Sequence, residues 1–247
     1  MSLISLHPPM ARRAALLRSA LPGERIAECD HERDLICLAA DLPDAHGFAA
    51  HEAAEKAAAE AAEATRRVLL RHAGQALRVG PCRGIAPLRE WVAEHLAGQG
   101  LQVDPDAVLI TTGTQQALDL LGKVLVDPSS PLLVQRPTSA AALRAFAPYA
   151  PRLIGVPCDE HGPDPQAFAE LLPGARMAYL QTCFANPCGQ TISPERAEQL
   201  VAALRQAPCW LVEDDCYQEL WFDAPPPPGL LARGAPHGVR VGSFSRL

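Results

Sequence analysis

Four short stretches carry residue types that could hold a charged ligand. Thr112-Gly113-Thr114-Gln115-Gln116-Ala117-Leu118 follows an aliphatic, β-branched run and turns straight into helical sequence. Small residues at such a turn leave backbone N–H groups free, and a helix N-terminus favours a bound anion. A plain strand-to-helix turn with Thr as N-cap would read the same. Asn186-Pro187-Cys188-Gly189, Glu213-Asp214-Asp215-Cys216-Tyr217 and Ser243-Phe244-Ser245-Arg246 follow or close three later runs of the same kind. All four stretches fall at the carboxyl ends of strands, where open α/β sheets bind ligands. Alone, Asn-Pro is a turn and Asp214 an acid in an acidic turn; four in order form a set.

The elements that must position them are short apolar runs alternating with helical segments, the pattern of parallel βαβ units. The runs are Ala107 to Thr111, Leu132 to Gln135, Leu153 to Val156, Met177 to Gln181, Trp210 to Glu213 and Val239 to Val241. They predict six strands of an open α/β sheet. Ahead of them, Ala50 to about His72 is rich in Ala and Glu without Gly or Pro, a helix on propensity alone. Gly80-Pro81 and Gly84 break the chain before a second helix at Ala86 to Ala97. Residues 1 to 50 are mixed, with a short basic helix near Met10 to Arg18, and read as an N-terminal arm. The domain itself then runs from 51 to 247. Pro225 to Pro228 is a stiff extended loop before the last strand.

At 247 residues and 48% hydrophobic, the chain can bury a real core. Its net charge of -6 gives no general attraction to nucleic acid or to anionic lipid. No stretch approaches the ~18 apolar residues of a membrane span, and the start lacks the features of a signal peptide. A cytoplasmic protein is expected. The 8 cysteines include no C-x-x-C pair, so neither a metal site nor a disulfide framework is expected, and most read as small buried apolar residues.

The four stretches, with Gly84-Ile85-Ala86-Pro87-Leu88-Arg89, closely resemble the class I/II aminotransferases of the pyridoxal-phosphate fold type I family. The likeness is greatest to the 2-aminoadipate-type branch and to the aminotransferase domains of regulators that fuse one to a winged helix, and it covers roughly Leu35 to the end. It implies pyridoxal 5'-phosphate with its phosphate on the amides of Gly113, Thr114 and Gln115, and Ser243 adding a hydroxyl. Asp214 would pair with the pyridinium nitrogen, so that the ring can accept electrons. Asn186 and Tyr217 would hydrogen-bond the phenolic oxygen. The family's substrates are an amino acid and a 2-oxo acid, and its sites are built between two subunits, which implies a homodimer.

The chain departs from that pattern at the reacting atom. The family places its Schiff-base lysine where Arg246 stands here, and a guanidinium stays protonated and is no amine nucleophile. Of the 22 Lys and Arg residues, only Lys56 and Lys123 are lysines. Ser139 replaces the aromatic expected to stack on the ring, Val79 the tyrosine of the neighbouring subunit, and Asp41 a glycine of the arm. The family sheet also has a seventh strand between the sixth and the first. With the chain stopping at Leu247, that strand and the C-terminal small domain are expected to be missing, leaving Ala107 to Thr111 without a partner. Two arginines, one for the substrate carboxylate and one behind the phosphate, are expected to go with them. The reading is an aminotransferase-like protein with little or no activity, whose cofactor, if held, is held without a covalent bond. A non-catalytic cofactor-binding or dimer-forming module is the alternative. Restoring a lysine at 246 is not expected to recover transamination by itself.

Overall fold

The computed structural model describes residues 51–246, with side chains from 55 to 245. The arm, the basic helix near Met10 and Asp41 lie outside the described residues. The chain divides into two units, one holding residues 51–85 and the other 86–246. The first is built on α1 (His51–Ala76), which kinks where His72 leaves helical geometry at φ -133.

The second unit carries α2 (Ala86–Gly98), α3 (Gly113–Leu125), β1 (Pro131–Arg136), α4 (Ala140–Phe146), β2 (Arg152–Asp159) and β3 (Gly162–Pro163). It continues with α5 (Pro165–Leu171), β4 (Met177–Leu180), α6 (Pro194–Leu204), β5 (Trp210–Asp214) and β6 (Gly238–Val241). The six strands form one sheet in the order β3-β2-β1-β4-β5-β6. Every pairing is parallel except β2 with β3. Three of the intervening helices start at side-chain caps, as Ser139, Asp164 and Ser193 each accept from a backbone N–H three residues on.

Both faces of the central strands β1, β4 and β5 are buried, so these are apolar at consecutive positions rather than alternate ones. Leu132, Val134, Met177, Tyr179, Val212 and Val241 pack with Leu118 of α3 and Phe146 of α4 on one face. Leu133, Ala178, Leu180 and Leu211 pack with Phe168 of α5 and Leu200 and Leu204 of α6 on the other. Full burial of each such side chain stabilises the fold by about 1.5–3 kcal/mol.

One expected strand is not there. Pro105–Ala107 is a 3-10 turn capped by the Asp104 carboxylate, which accepts from Asp106 N at 2.7 Å, and residues 108–112 belong to no ladder. An extended apolar run becomes a strand only when a neighbour takes its backbone groups, and none lies beside it among the described residues. The sixth strand is instead β3, a Gly-Pro pair at the sheet edge that the sequence reading did not single out. Of the six described cysteines, Cys183 and Cys209 are buried, Cys158 and Cys216 half-buried, and Cys82 and Cys188 exposed, while Cys29 and Cys37 lie outside the described residues.

Candidate functional site

The turn into α3 is built as an anion site requires. Gly113 opens the helix at φ 75, a left-handed geometry that favours glycine. Thr112 stands at the N-cap, but its side chain makes no capping hydrogen bond, and its own N–H is taken by Gln116 Oε1 at 2.5 Å. Among the described residues, the N–H groups of Gly113, Thr114 and Gln115 have no acceptor. The Gln115 side chain turns aside to donate to Ala141 O at 3.1 Å. Ser139, in the place expected of a stacking aromatic, is a buried helix cap instead.

Asp214 closes β5 and is buried. Its Oδ2 accepts from Tyr179 Oη at 2.5 Å and its Oδ1 from Cys216 N at 3.3 Å. Burial pushes the Asp214 carboxyl above the ordinary range, against the pull of those two donors. Burial, and then the neighbouring Asp214 charge, drive the Tyr179 phenol far up as well, so the shared proton stays on the tyrosine. Among the described residues no cation pairs with Asp214. A buried carboxylate met by neutral donors is suited to a positively charged partner.

Asn186 Nδ2 donates to Tyr217 Oη at 3.4 Å, which brings the turn after β4 to the turn after β5. Ser243 follows β6, and its hydroxyl pairs locally with Ser245 Oγ at 2.7 Å and accepts from Ser245 N at 3.1 Å. Arg246 ends the 3-10 turn Phe244–Arg246. No hydrogen bond joins Ser243 to the start of α3 among the described residues, so the structure joins Asn186 with Tyr217 but leaves these two groups separate.

Lys123, the lysine nearest in sequence to the anion turn, sits in the last turn of α3, 60% exposed and 3.7 Å from Asp119. Ten residues past Gly113, at about 1.5 Å each, it lies about 15 Å along the axis from the open amides.

Sequence reasoning overlooked Tyr179. Its signal was available: a phenol in a strand buried on both faces needs a partner, and β4 pairs with β5, so Tyr179 stands opposite Val212, two residues before Asp214.

The residues fit a phosphorylated, cationic aromatic ring held without a covalent bond: open amides for the phosphate, Asp214 for a ring cation, Asn186 and Tyr217 for a polar substituent. They do not supply the amine for a covalent one.

The chain is similar to 2-aminoadipate transaminase of Thermus thermophilus, 42% identical over 194 residues, 76% of this chain and 48% of that protein. It is 32% identical to aromatic-amino-acid aminotransferase 1 of Thermococcus litoralis over 87% of this chain and 52% of that protein. It thus spans about half the length of the curated relatives it matches. Among solved structures it resembles the Thermus thermophilus alpha-aminoadipate aminotransferase LysN, complexed with N-(5'-phosphopyridoxyl)-L-leucine, at TM-score 0.69 and 42% identity. That match covers 76% of this chain and 48% of LysN. The kynurenine aminotransferase of Pyrococcus horikoshii matches at TM-score 0.76 and 27% identity over 100% of this chain and 58% of that one. With the family model for aminotransferase class I and II matching residues 44–246, these likenesses show that the chain belongs to the class I and II aminotransferases and carries their α/β, mostly parallel large-domain sheet.

Proposed function

We propose that this chain is an aminotransferase-like protein that binds pyridoxal 5'-phosphate without covalent attachment and carries out little or no transfer of an amino group between an amino acid and a 2-oxo acid. The observation that carries the reading is Arg246, standing where the family resemblance places the lysine. The chain's own residues divide the remaining work. The open amides of Gly113, Thr114 and Gln115 bind the phosphate, helped by the helix dipole, with Ser243 as a further donor. Asp214, aligned by Tyr179, holds a proton on the ring nitrogen, and Asn186 and Tyr217 orient the phenolic oxygen. The bound cofactor would supply an electron-withdrawing ring. What is missing is a residue to hold it covalently and to move a proton at the substrate carbon, since a guanidinium keeps its protons. The protein would act as a cytoplasmic homodimer.

Titration of the purified protein with pyridoxal 5'-phosphate, followed by borohydride reduction and peptide mass mapping, tests this. Saturable binding without a fixed adduct is expected, together with amino-group transfer at background rate. An adduct on Lys56 or Lys123, or turnover that disappears with Lys123→Ala, would refute it. Failure to bind would remove the cofactor site and leave only the family fold.

A further inference from the structure

Strand alternation puts Asp214 on one face of β5 and Glu213 and Asp215 on the other. Asp215 makes no contact with the proposed ring site, yet it is the most heavily used side chain at this end of the sheet. Its Oδ1 accepts from Thr182 N at 3.2 Å, from the Thr182 hydroxyl, and from Cys183 Sγ at 3.5 Å. Its Oδ2 faces Arg240 Nη2 at 3.6 Å, with the Arg240 and Asp215 side chains only 8% and 2% exposed. Its backbone N–H donates to Val241 O at 3.0 Å, extending the ladder past β5. Arg240, opposite Glu213 in the register of β5 and β6, also donates to Gln99 Oε1 at 2.8 Å, and Gln99 Nε2 donates to Glu219 Oε1 at 2.7 Å.

Each of these contacts lies a few residues from a member of the proposed site. Thr182 and Cys183 precede Asn186, Arg240 precedes Ser243, Glu219 follows Tyr217, and Asp215 is bonded to Asp214. The ends of three strands converge on one carboxylate. Both oxygens of a carboxylate are acceptors, so one can take the donors while the other faces the cation; an amide in its place would turn an NH2 group toward one of those sets.

We propose that Asp215 is a positioning residue, which holds the ends of β4, β5 and β6 together and thereby sets Asn186, Asp214 and Ser243 relative to one another, with Arg240 and Gln99 linking it to the turn that carries Tyr217. What those residues hold rests on the function proposed above; that Asp215 holds them does not.

Amide hydrogen exchange on the ligand-free protein reads the positioning directly. Asp215→Asn should accelerate exchange about tenfold or more in residues 182–190, 215–220 and 242–245, the loss expected for a charged hydrogen-bond acceptor, with β1 and α4 unchanged. Arg240→Met should accelerate the last two segments, and the double variant should do less than the sum of the singles because the pair is one unit. Should Asp215→Asn fail to fold, Gln99→Ala, half-buried in the turn after α2, is expected to loosen residues 216–220 alone. Unchanged protection, acceleration spread evenly over every element, or full additivity overturns the inference. Induced circular dichroism and affinity for pyridoxamine 5'-phosphate, which has no aldehyde, then separate the two proposals. A wild-type protein that binds none refutes the proposed function while the exchange result stands. A wild-type protein that binds, with Asp215→Asn binding as tightly and with the same dichroism, refutes the positioning role.

Discussion

Glu213 is a carboxyl group set among apolar side chains beside a second carboxylate, Asp215. It is wholly buried; one carboxyl oxygen accepts from Leu231 N at 3.0 Å and the other has no partner among the described residues. Burial first, and the Asp215 charge second, push it up to about 8 from an ordinary 4.5. Between those values the folded protein holds a proton that the unfolded chain has released. The contribution of Glu213 to stability should therefore be greatest below about pH 4.5, fall as pH rises toward 8, and level off above it. Glu213→Gln removes this slope, so its melting temperature relative to wild type should rise from pH 5 to pH 8; a relative fall across that range would contradict the assignment. Gly229 belongs to the same locus, because a Cβ there would collide with Glu213 Oε1, part of a buried carboxyl group that has nowhere to go. Gly229→Ala should cost about 1–3 kcal/mol in denaturant titration, the range for overpacking a core. Tyr179→Phe takes the hydroxyl donor from buried Asp214 and should destabilise by about 1–3 kcal/mol, while also weakening affinity for pyridoxal 5'-phosphate.

At the scale of elements, α3 shows two opposed effects at one position. Gly122 lies inside the helix, where alanine would ordinarily gain about 1 kcal/mol. A Cβ at Gly122 would meet the Tyr149 ring at 2.5 Å, and that ring is held by its hydroxyl donating to Asp119 Oδ1 at 2.6 Å. The ring cannot swing away without losing the hydrogen bond, so overpacking of about 1–3 kcal/mol should outweigh the propensity gain. Gly122→Ala is expected to lower the melting temperature, and an increase would mean that the ring yields freely. The same elements show what the sequence made legible. β1, β2, β4 and β5 carry consecutive apolar residues between turn residues, and a buried parallel sheet imposes that pattern wherever it occurs. The run at 107–111 has the same local character and forms no strand, because a ladder depends on a neighbour that composition does not report. Gly113, Asn186, Asp214 and Tyr217 could be singled out as candidates because motifs at strand ends are local. Asp215 with Arg240, and Tyr179 with Asp214, could not, because each pair is made across strands whose order must be known first.

For the whole molecule, the question is what covers its apolar surface. Leu220, Trp221 and Phe222 are consecutive exposed residues, with Phe222 at 98%, and Trp91 and Phe244 are exposed with ring centroids 6.0 Å apart. β6 also has no further strand beside it among the described residues, so one of its backbone edges is unpaired. Exposed apolar side chains and an open edge both favour association, and the net charge of -6 opposes it only weakly once salt screens the repulsion. Sedimentation velocity should therefore show a concentration-dependent shift from monomer toward dimer, stronger at high salt. Phe222→Glu paired with Trp221→Lys adds charge to the patch without changing net charge, and so tests the apolar contribution separately from overall repulsion. The double variant should shift the equilibrium toward monomer at every salt concentration, with unchanged melting temperature, since both side chains are outside the core. An unaltered equilibrium in that variant would place the association at the β6 edge instead, where the partner's backbone, rather than its side chains, would be the contact.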